Sequence, residues 1–183
     1  MSDNFGNTRT KVAQFFYRRL QKSVKQTNKI DFKFDKVKSI GIIFDKNSKG
    51  VNSLIKKLYK ELNKNSALIS IYKLAYNIEE VDRPEQVEVP IVYFTDDDLN
   101  WYGKPKFKDV ENFLETPFDL LINLASNNSW GIKFSIMLSK AKFKVGKLEA
   151  NSDVYDFMVD DSGDINSAEL NNVIVDYLRI INN

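Results

Sequence analysis

The sequence predicts an α/β fold of the Rossmann-like or flavodoxin-like kind, a three-layer sandwich with a mostly parallel sheet of five to six strands. Short apolar runs of strand length alternate along the 183 residues with amphipathic segments of helical period. Residues 118–124 are nearly all apolar, as expected for a central parallel strand that is covered on both faces. We therefore expect a single α/β domain over residues 38–183, preceded over residues 1–37 by a basic arm that carries an N-terminal amphipathic helix.

The basic arm follows from an uneven distribution of charge. Residues 1–38 contain ten basic and three acidic residues, a net charge of +7, whereas the rest of the chain contains 17 basic and 22 acidic residues, a net charge of −5. Residues 1–7 are polar, and we expect them to be disordered. A helix is predicted from Thr8 to Lys25, with Thr8 or Thr10 as its cap. Its apolar side chains fall on one broad arc: Val12, Ala13, Phe15, Phe16, Tyr17, Leu20 and Val24.

The remaining elements follow from the hydrophobic periodicity. Residues 26–37 alternate hydrophobic and charged side chains and are predicted to form a linker or a short edge strand. Strands are predicted over residues 38–44, 67–75, 90–94, 118–124, 143–146 and 154–159. Helices are predicted over residues 51–62, around residues 110–114 and from about residue 166 onward. The segment after Ser129 fits a helical and a two-residue period equally, and we assign it to a helix because neighbouring parallel strands need a crossover connection.

The chain contains neither cysteine nor histidine. The absence of cysteine excludes disulfides, thiolate nucleophiles and Cys-held zinc or iron–sulfur clusters. The absence of histidine excludes imidazole bases, imidazole metal ligands and the Ser-His-Asp triad. No catalytic residues and no cofactor are predicted, and Mg²⁺ on oxygen ligands is the one metal that the composition allows. The composition therefore favours a non-enzymatic protein.

A ligand site is predicted at one edge of the sheet, because open parallel sheets bind ligands outside the carboxyl ends of their strands. The candidate residues are Asp45, Asn47, Ser48, Asp96, Asn127, Asn128 and Ser129. A helix that begins after Ser129 would present backbone amides to an anion or phosphate, and Asp45 and Asp96 could help to hold Mg²⁺. The competing interpretation is that these residues are ordinary helix caps, with Asn47 or Ser48 capping the helix at residue 51, and a solvated acidic loop.

The arm helix predicts a partner, for which three interpretations stay open. The candidate surface residues are Arg9, Lys11, Phe15, Phe16, Arg18, Arg19, Leu20, Lys22 and Lys25. The apolar arc could pack on the protein's own sheet or on a partner subunit, a homo-oligomer included. It could instead dock on an anionic membrane surface, with cations at the head groups, or the arm could contact the phosphates of RNA or a ribosome. No apolar run reaches the roughly 20 residues that span a bilayer, so we expect a cytoplasmic protein, peripheral at the inner membrane surface in the second case.

Two motifs in the second half of the chain carry a family resemblance. The sequence PFDLLIN at 117–123 with SKAKFKVG at 139–146, preceded by a basic N-terminal helix, resembles a family of small uncharacterised bacterial proteins with a domain of unknown function. That resemblance implies an α/β fold and no activity. The layout of FDLLINL, a turn, a helix and FKVG is also similar to the N-terminal half of heptosyltransferase-type glycosyltransferases, although FDKNSKG at 44–50 replaces a Gly-rich turn.

The function expected from these observations is that of a binding or adaptor protein. Its basic helix would attach it to an anionic surface or to a protein partner. The alternative is a nucleotide- or phosphosugar-binding domain related to a degenerate transferase, which the polar edge of the sheet favours.

Overall fold

The computed structural model describes residues 3–23, 32–48, 50–62, 69–78, 90–126, 129–148, 153–160 and 167–180. This part of the chain contains the helices α1 (Asp3–Ser23), α2 (Val51–Leu62), α3 (Lys108–Glu115), α4 (Trp130–Leu138) and α5 (Ser167–Ile180). Its strands are β1 (Ser39–Asp45), β2 (Ser70–Tyr76), β3 (Ile91–Phe94), β4 (Leu120–Asn123), β5 (Lys144–Lys147) and β6 (Phe157–Val159). Among these elements, no helix is long and apolar enough to cross a membrane.

The strands form one sheet in the order β3-β2-β1-β4-β5-β6, and each neighbouring pair is parallel. The predicted α/β fold with a Rossmann-like sheet is confirmed. From β1 in the middle, the chain proceeds outward to β2 and β3, then returns to β4 on the other side of β1. The strand order therefore reverses between β1 and β4, which is the position where ligands bind in open sheets of this kind.

Alternating side chains of the central strands divide the core into two parts. Ile40 and Ile42 of β1 pack on the side of α2 and α5, whereas Ile43 packs on the side of α3 and α4. In β4 every residue is buried, and Leu120 and Leu121 likewise enter opposite parts of the core. Burial on both faces explains why residues 118–124 lack a polar face in the sequence.

Helix α4 is buried almost all round, which explains its ambiguous sequence pattern. Its side chains Ile132 and Ile136 belong to the core beneath it, while Phe134 on another face lies against Tyr17 of α1, with ring centroids 5.5 Å apart. A helix covered on opposite faces needs apolar residues around its circumference, so its hydrophobic periodicity is weak. The prediction of a helix here is confirmed, and α1 provides the outer cover.

Residues of the predicted arm also enter the core. Phe32, Phe34 and Val37 are buried with α2 and α5, and the ring of Phe32 stacks on Phe143 at a centroid distance of 4.0 Å. A single 3-10 turn (Phe34–Lys36) shapes this segment. Of the two predicted alternatives, the edge strand is wrong for the described residues 32–37, because buried aromatic contacts override the alternating pattern.

Several predicted boundaries differ from the structure. Helix α1 begins at Asp3, before the predicted start at Thr8, so Thr8 and Thr10 lie within the helix and are not its caps. Helix α2 begins at Val51 as predicted, but Gly50 precedes it, and the Leu54 amide donates to the Gly50 carbonyl at 2.9 Å. Asn47 and Ser48 lie too far back to cap α2. Val24 and Lys25 lie outside the described residues.

Asp119 links the starting ends of β1 and β4. Its carboxylate accepts hydrogen bonds from the backbone amides of Lys38 and Ser39 at 3.0 and 3.1 Å and from the Lys142 ammonium at 2.7 Å. Partial burial would raise the pKa of Asp119, but the hydrogen bonds from Lys142 and from the two amides outweigh it and lower the pKa. The central strand pair is therefore held in register at its amino end by a charged group.

Lys144 is a buried lysine that completes the end of α4. It is 8% exposed, and its ammonium group lies 2.9 Å from the Ile136 carbonyl and 3.5 Å from that of Met137. These carbonyls belong to the last turn of a helix, where no intrahelical donor remains. Burial lowers the pKa of Lys144 to about 8, although the nearby Asp156 carboxylate opposes this effect.

We predict that Lys144 makes stability depend on pH between its folded pKa of about 8 and its ordinary value of 10.5. In that window the folded chain holds fewer protons than the unfolded chain, so the free energy of unfolding rises with pH. Relative to Lys144→Met, the free energy of unfolding of wild type should rise by at most about 3 kcal/mol across the window. Urea unfolding at several pH values measures it, with Lys56→Met at an exposed position of α2 as the control. A difference independent of pH would contradict the prediction.

Candidate functional site

Polar side chains lie at the carboxyl ends of β1 and β4, where the strand order reverses. Asp45 ends β1 and is 2% exposed. Its carboxylate accepts the Asn47 amide at 3.0 Å and lies 2.9 Å from the Ser48 hydroxyl, which is also 2.8 Å from the Leu124 carbonyl after β4. The turn that follows β1 is therefore fastened to the loop that follows β4. The structure brings Asp45 and Ser48 together, but it directs their polar atoms at each other and at the neighbouring loop.

A second polar cluster surrounds the phenol of Tyr76 at the end of β2. The Tyr76 hydroxyl donates to the Asp96 carboxylate at 2.6 Å, and the Asn77 side-chain amide lies 3.4 Å from the same carboxylate. Burial raises the pKa of Tyr76 to about 12; the hydrogen bond to Asp96 adds to the shift, and weaker hydrogen bonds with Ser129 and Asn77 oppose it. Asp96 and Ser129, predicted as site residues, thus meet at one buried phenol.

Ser129 acts as a helix cap. Its hydroxyl accepts the amide of Ile132 at 3.3 Å at the start of α4, as the capping interpretation predicts. Asn127 and Asn128, the other two candidates from this turn, lie outside the described residues. A nine-residue helix begins here, and its amino end is occupied by its own cap.

The acidic loop after β3 is also organised by its own hydrogen bonds. The segment Asp96–Asp98 is a 3-10 turn, and the Asp98 carboxylate accepts the Thr95 amide at 2.8 Å in a capping box. In the described part of the chain, no three acidic side chains converge as a metal site would require. The carboxylates of Asp45 and Asp96 are each engaged in hydrogen bonds within their own loop cluster. Binding of Mg²⁺ by these two residues stays a prediction.

Sequence reasoning missed two polar residues at the same edge. Asn123 is 3% exposed; its side-chain amide donates to the Tyr155 hydroxyl at 2.8 Å, and its carbonyl oxygen accepts the Ala125 amide at 3.1 Å. One signal was present in the sequence, because Asn123 is a polar residue at the end of an otherwise apolar strand. Tyr76 carried no such signal, since a tyrosine in a strand is ordinary.

A different surface gathers the aromatic residues of α1 and of the loop after β3. The ring of Phe16 stacks on Tyr102 at a centroid distance of 4.5 Å and meets Trp101 edge-on at 6.3 Å. Phe15 meets Phe16 at 5.5 Å. The loop is held close by Gly103, where a Cβ would approach Trp130 to 2.6 Å and where φ is +98°, a backbone conformation that favours glycine.

The loop that carries Trp101 has a defined shape. The Asn100 side-chain oxygen accepts the amides of Tyr102 and Lys104 at 3.2 and 2.9 Å, and the Asn100 amide donates to the Lys104 carbonyl at 2.8 Å. A bridge between Leu99 and Pro105 closes the loop. Trp101, at the tip, is 64% exposed, so its exposure is imposed by a structured turn.

The structure divides the predicted surface residues of α1 between two faces. Phe16 and Leu20 are half-buried against the body, and Ala13 is fully buried. The exposed residues include the basic side chains Arg9, Lys11, Arg18, Arg19 and Lys22. Phe15 was placed on the apolar arc by the sequence, but it is 60% exposed. Lys11, Arg18 and Arg19 lie at i−4, i+3 and i+4 from it and are its neighbours on the outward face.

We predict that Tyr76→Phe lowers the free energy of unfolding by about 1 kcal/mol near neutral pH, because the bond to Asp96 is lost. The folded-state pKa of Tyr76, about 12, lies above the ordinary tyrosine value of 10.0. Wild type should therefore lose stability as pH rises from 10 to 12, and the variant should lose less. Chemical denaturation across this range measures the difference, with Tyr177→Phe on the exposed part of α5 as control. Parallel curves for wild type and Tyr76→Phe would contradict it.

Comparison with known proteins places the chain in a family without assigning a reaction. No curated protein and no solved structure matches it. One family model, described as a family of unknown function (DUF6913), matches residues 9–181 and so covers α1 from Arg9 onward, the whole sheet and all of α5. The resemblance predicted from the PFDLLIN and SKAKFKVG motifs is confirmed at this level. The chain belongs to the DUF6913 family of unknown function.

Proposed function

We propose that this chain is a non-enzymatic binding protein which is attached to an anionic surface by the outward face of α1. The observation that carries the proposal is the division of α1 into two faces. The apolar face is used within the molecule, because Tyr17 packs on Trp130 and Phe134 with centroid distances of 5.9 and 5.5 Å. The basic side chains are left exposed on a structured helix, where they can contact a surface of opposite charge.

The charge distribution of the whole chain supports the same proposal. The first 38 residues carry a net charge of +7 and the remainder carries −5. An anionic surface would attract the α1 side of the molecule and repel much of the rest, so the protein would bind in one orientation. Under this proposal the protein is peripheral to whatever structure supplies the negative charge.

We predict that Arg18→Glu with Arg19→Glu weakens binding to anionic vesicles or to ribosomal RNA by more than about tenfold, because each basic residue near such a surface contributes about 1 kcal/mol. Flotation and co-sedimentation at several salt concentrations measure the change, and binding should fall with salt. Lys56→Glu with Lys60→Glu, at exposed positions of α2, is the matched control with the same change in net charge.

Two results would contradict the proposal. One is a wild-type protein that binds neither vesicles nor RNA at low salt. The other is an equal loss of binding in the α1 variant and the α2 control, since that would reflect net charge and not the face of α1.

A second candidate function is binding of a nucleotide or phosphosugar at the carboxyl edge of the sheet. The reversal of strand order between β1 and β4 supports it, as does the polar group formed by Asp45, Ser48 and Asn123 around that position. The contact between Ser48 and the Leu124 carbonyl at 2.8 Å spans the crevice, so a ligand would have to displace it.

For this second candidate, we predict that a nucleotide or nucleotide sugar with Mg²⁺ raises the melting temperature. The free energy of unfolding should increase by about 2.7 kcal/mol when the ligand is at 100 times its Kd. Asp45→Asn should reduce the shift, whereas Asp109→Asn on the exposed side of α3 should not. A flat thermal-shift screen at millimolar ligand would count against the candidate.

A further inference from the structure

Two exposed aromatic side chains lie on the basic side of the molecule. We define the aromatic–basic face as Phe15, Trp101, Lys11, Arg18 and Arg19. We propose that this face docks on an anionic lipid bilayer, with Phe15 and Trp101 entering the interface while α1 stays packed on α4. The inference rests on the proposed function and goes beyond it by naming the partner and the mode of docking.

The two aromatic residues of the aromatic–basic face are exposed. Phe15 is 60% exposed and Trp101 is 64% exposed, although both have apolar neighbours within reach. Phe16 connects them, with ring centroids 5.5 Å from Phe15 and 6.3 Å from Trp101, so they form one patch. Contiguous exposed aromatic surface with a polar rim indicates an interaction site, and here the rim around Phe15 is basic.

The charge around Phe15 selects the partner. Lys11, Arg18 and Arg19 are its neighbours on the outward face of the helix, and each is exposed. At a bilayer, aromatic rings settle at the acyl boundary while lysine and arginine side chains extend to anionic head groups. Nucleic acids carry the complementary charge as well, but single strands are bound in basic grooves that follow the backbone. The outward side of a helix is convex and offers no such groove.

The packing of α1 determines how it would dock. Ala13 is fully buried, Phe16 stacks on Tyr102, and Tyr17 packs on Trp130 and Phe134. Release of α1 would uncover Phe134, whose exposure is 0%, and would open one side of a helix that is buried almost all round. Docking with α1 in place avoids this exposure of apolar surface. The membrane therefore meets Phe15 and Trp101 and not the rest of the apolar arc that the sequence suggests.

The chain contains two tryptophans. The fluorescence of Trp101 tests its entry into the membrane interface, and that of Trp130 tests whether α1 stays packed on α4. In Trp130→Phe, Trp101 is the single reporter, and its emission should shift to the blue on vesicles that contain phosphatidylglycerol and be quenched by brominated acyl chains. In Trp101→Phe, Trp130 reports on the contact between α4 and α1, and its emission should not change. Vesicles of phosphatidylcholine alone should leave both reporters unchanged.

Removal of the two rings tests the anchor. Phe15→Ser with Trp101→Ser should reduce partitioning onto anionic vesicles by more than about tenfold, since each residue is about three fifths exposed and offers apolar surface for burial. Tyr177→Ser with Ile180→Ser removes two exposed apolar side chains from α5 and should leave partitioning unchanged. Thermal melts of each variant show that the fold is retained.

The results separate this inference from the proposed function. If charge reversal on α1 abolishes vesicle binding but the double serine variant binds normally, attachment stands and the aromatic anchor is wrong. Binding to RNA with no response of Trp101 to vesicles assigns the face to nucleic acid and overturns the lipid partner. A shift of Trp130 together with Trp101 overturns docking in place. A change in molar mass by light scattering in the double serine variant assigns the face to a second copy of the chain, which also overturns the inference.

Discussion

The burial of α4 between the sheet and α1 is the constraint on which the rest of the structure depends. Ile132 and Ile136 face the core and Phe134 faces Tyr17, so neither side of α4 can be left open to water. Helix α1 must therefore stay in place, and Gly103 must let the loop of Trp101 approach Trp130. At its far end α4 depends on Lys144, which supplies the donor that its last carbonyls lack.

This packing determines which face of the basic helix α1 is available for binding. A free amphipathic helix uses its apolar face to bind a partner, but in this protein the apolar face of α1 packs against α4 and Tyr102. What remains outward is a basic face with Phe15 in it, together with Trp101 from a rigid turn. Under the proposed function, attachment through such a face would be driven by charge and completed by a few aromatic contacts, so it should be reversible and sensitive to salt.

At the carboxyl edge of the sheet, predicted site residues do lie close together, but their polar groups are engaged in hydrogen bonds within the protein. Asp45 with Ser48, and Asp96 with Tyr76, form two closed groups of hydrogen bonds at the carboxyl ends of the strands. The sequence predicts that these side chains share an edge, because that follows from strand polarity. It does not predict their partners, since the contact of Ser48 with Leu124 joins residues 76 positions apart.

The sequence by itself determined the α/β class, the six strands of the sheet and the whole of α2, because local periodicity encodes these features. It also offered Ser129 as one of several candidate caps of α4. Tertiary structure alone decided the burial of Phe32 and Phe34, the outward position of Phe15 and the two-sided burial of α4. These features depend on contacts between distant segments, and periodicity identifies an apolar face without identifying what will cover it.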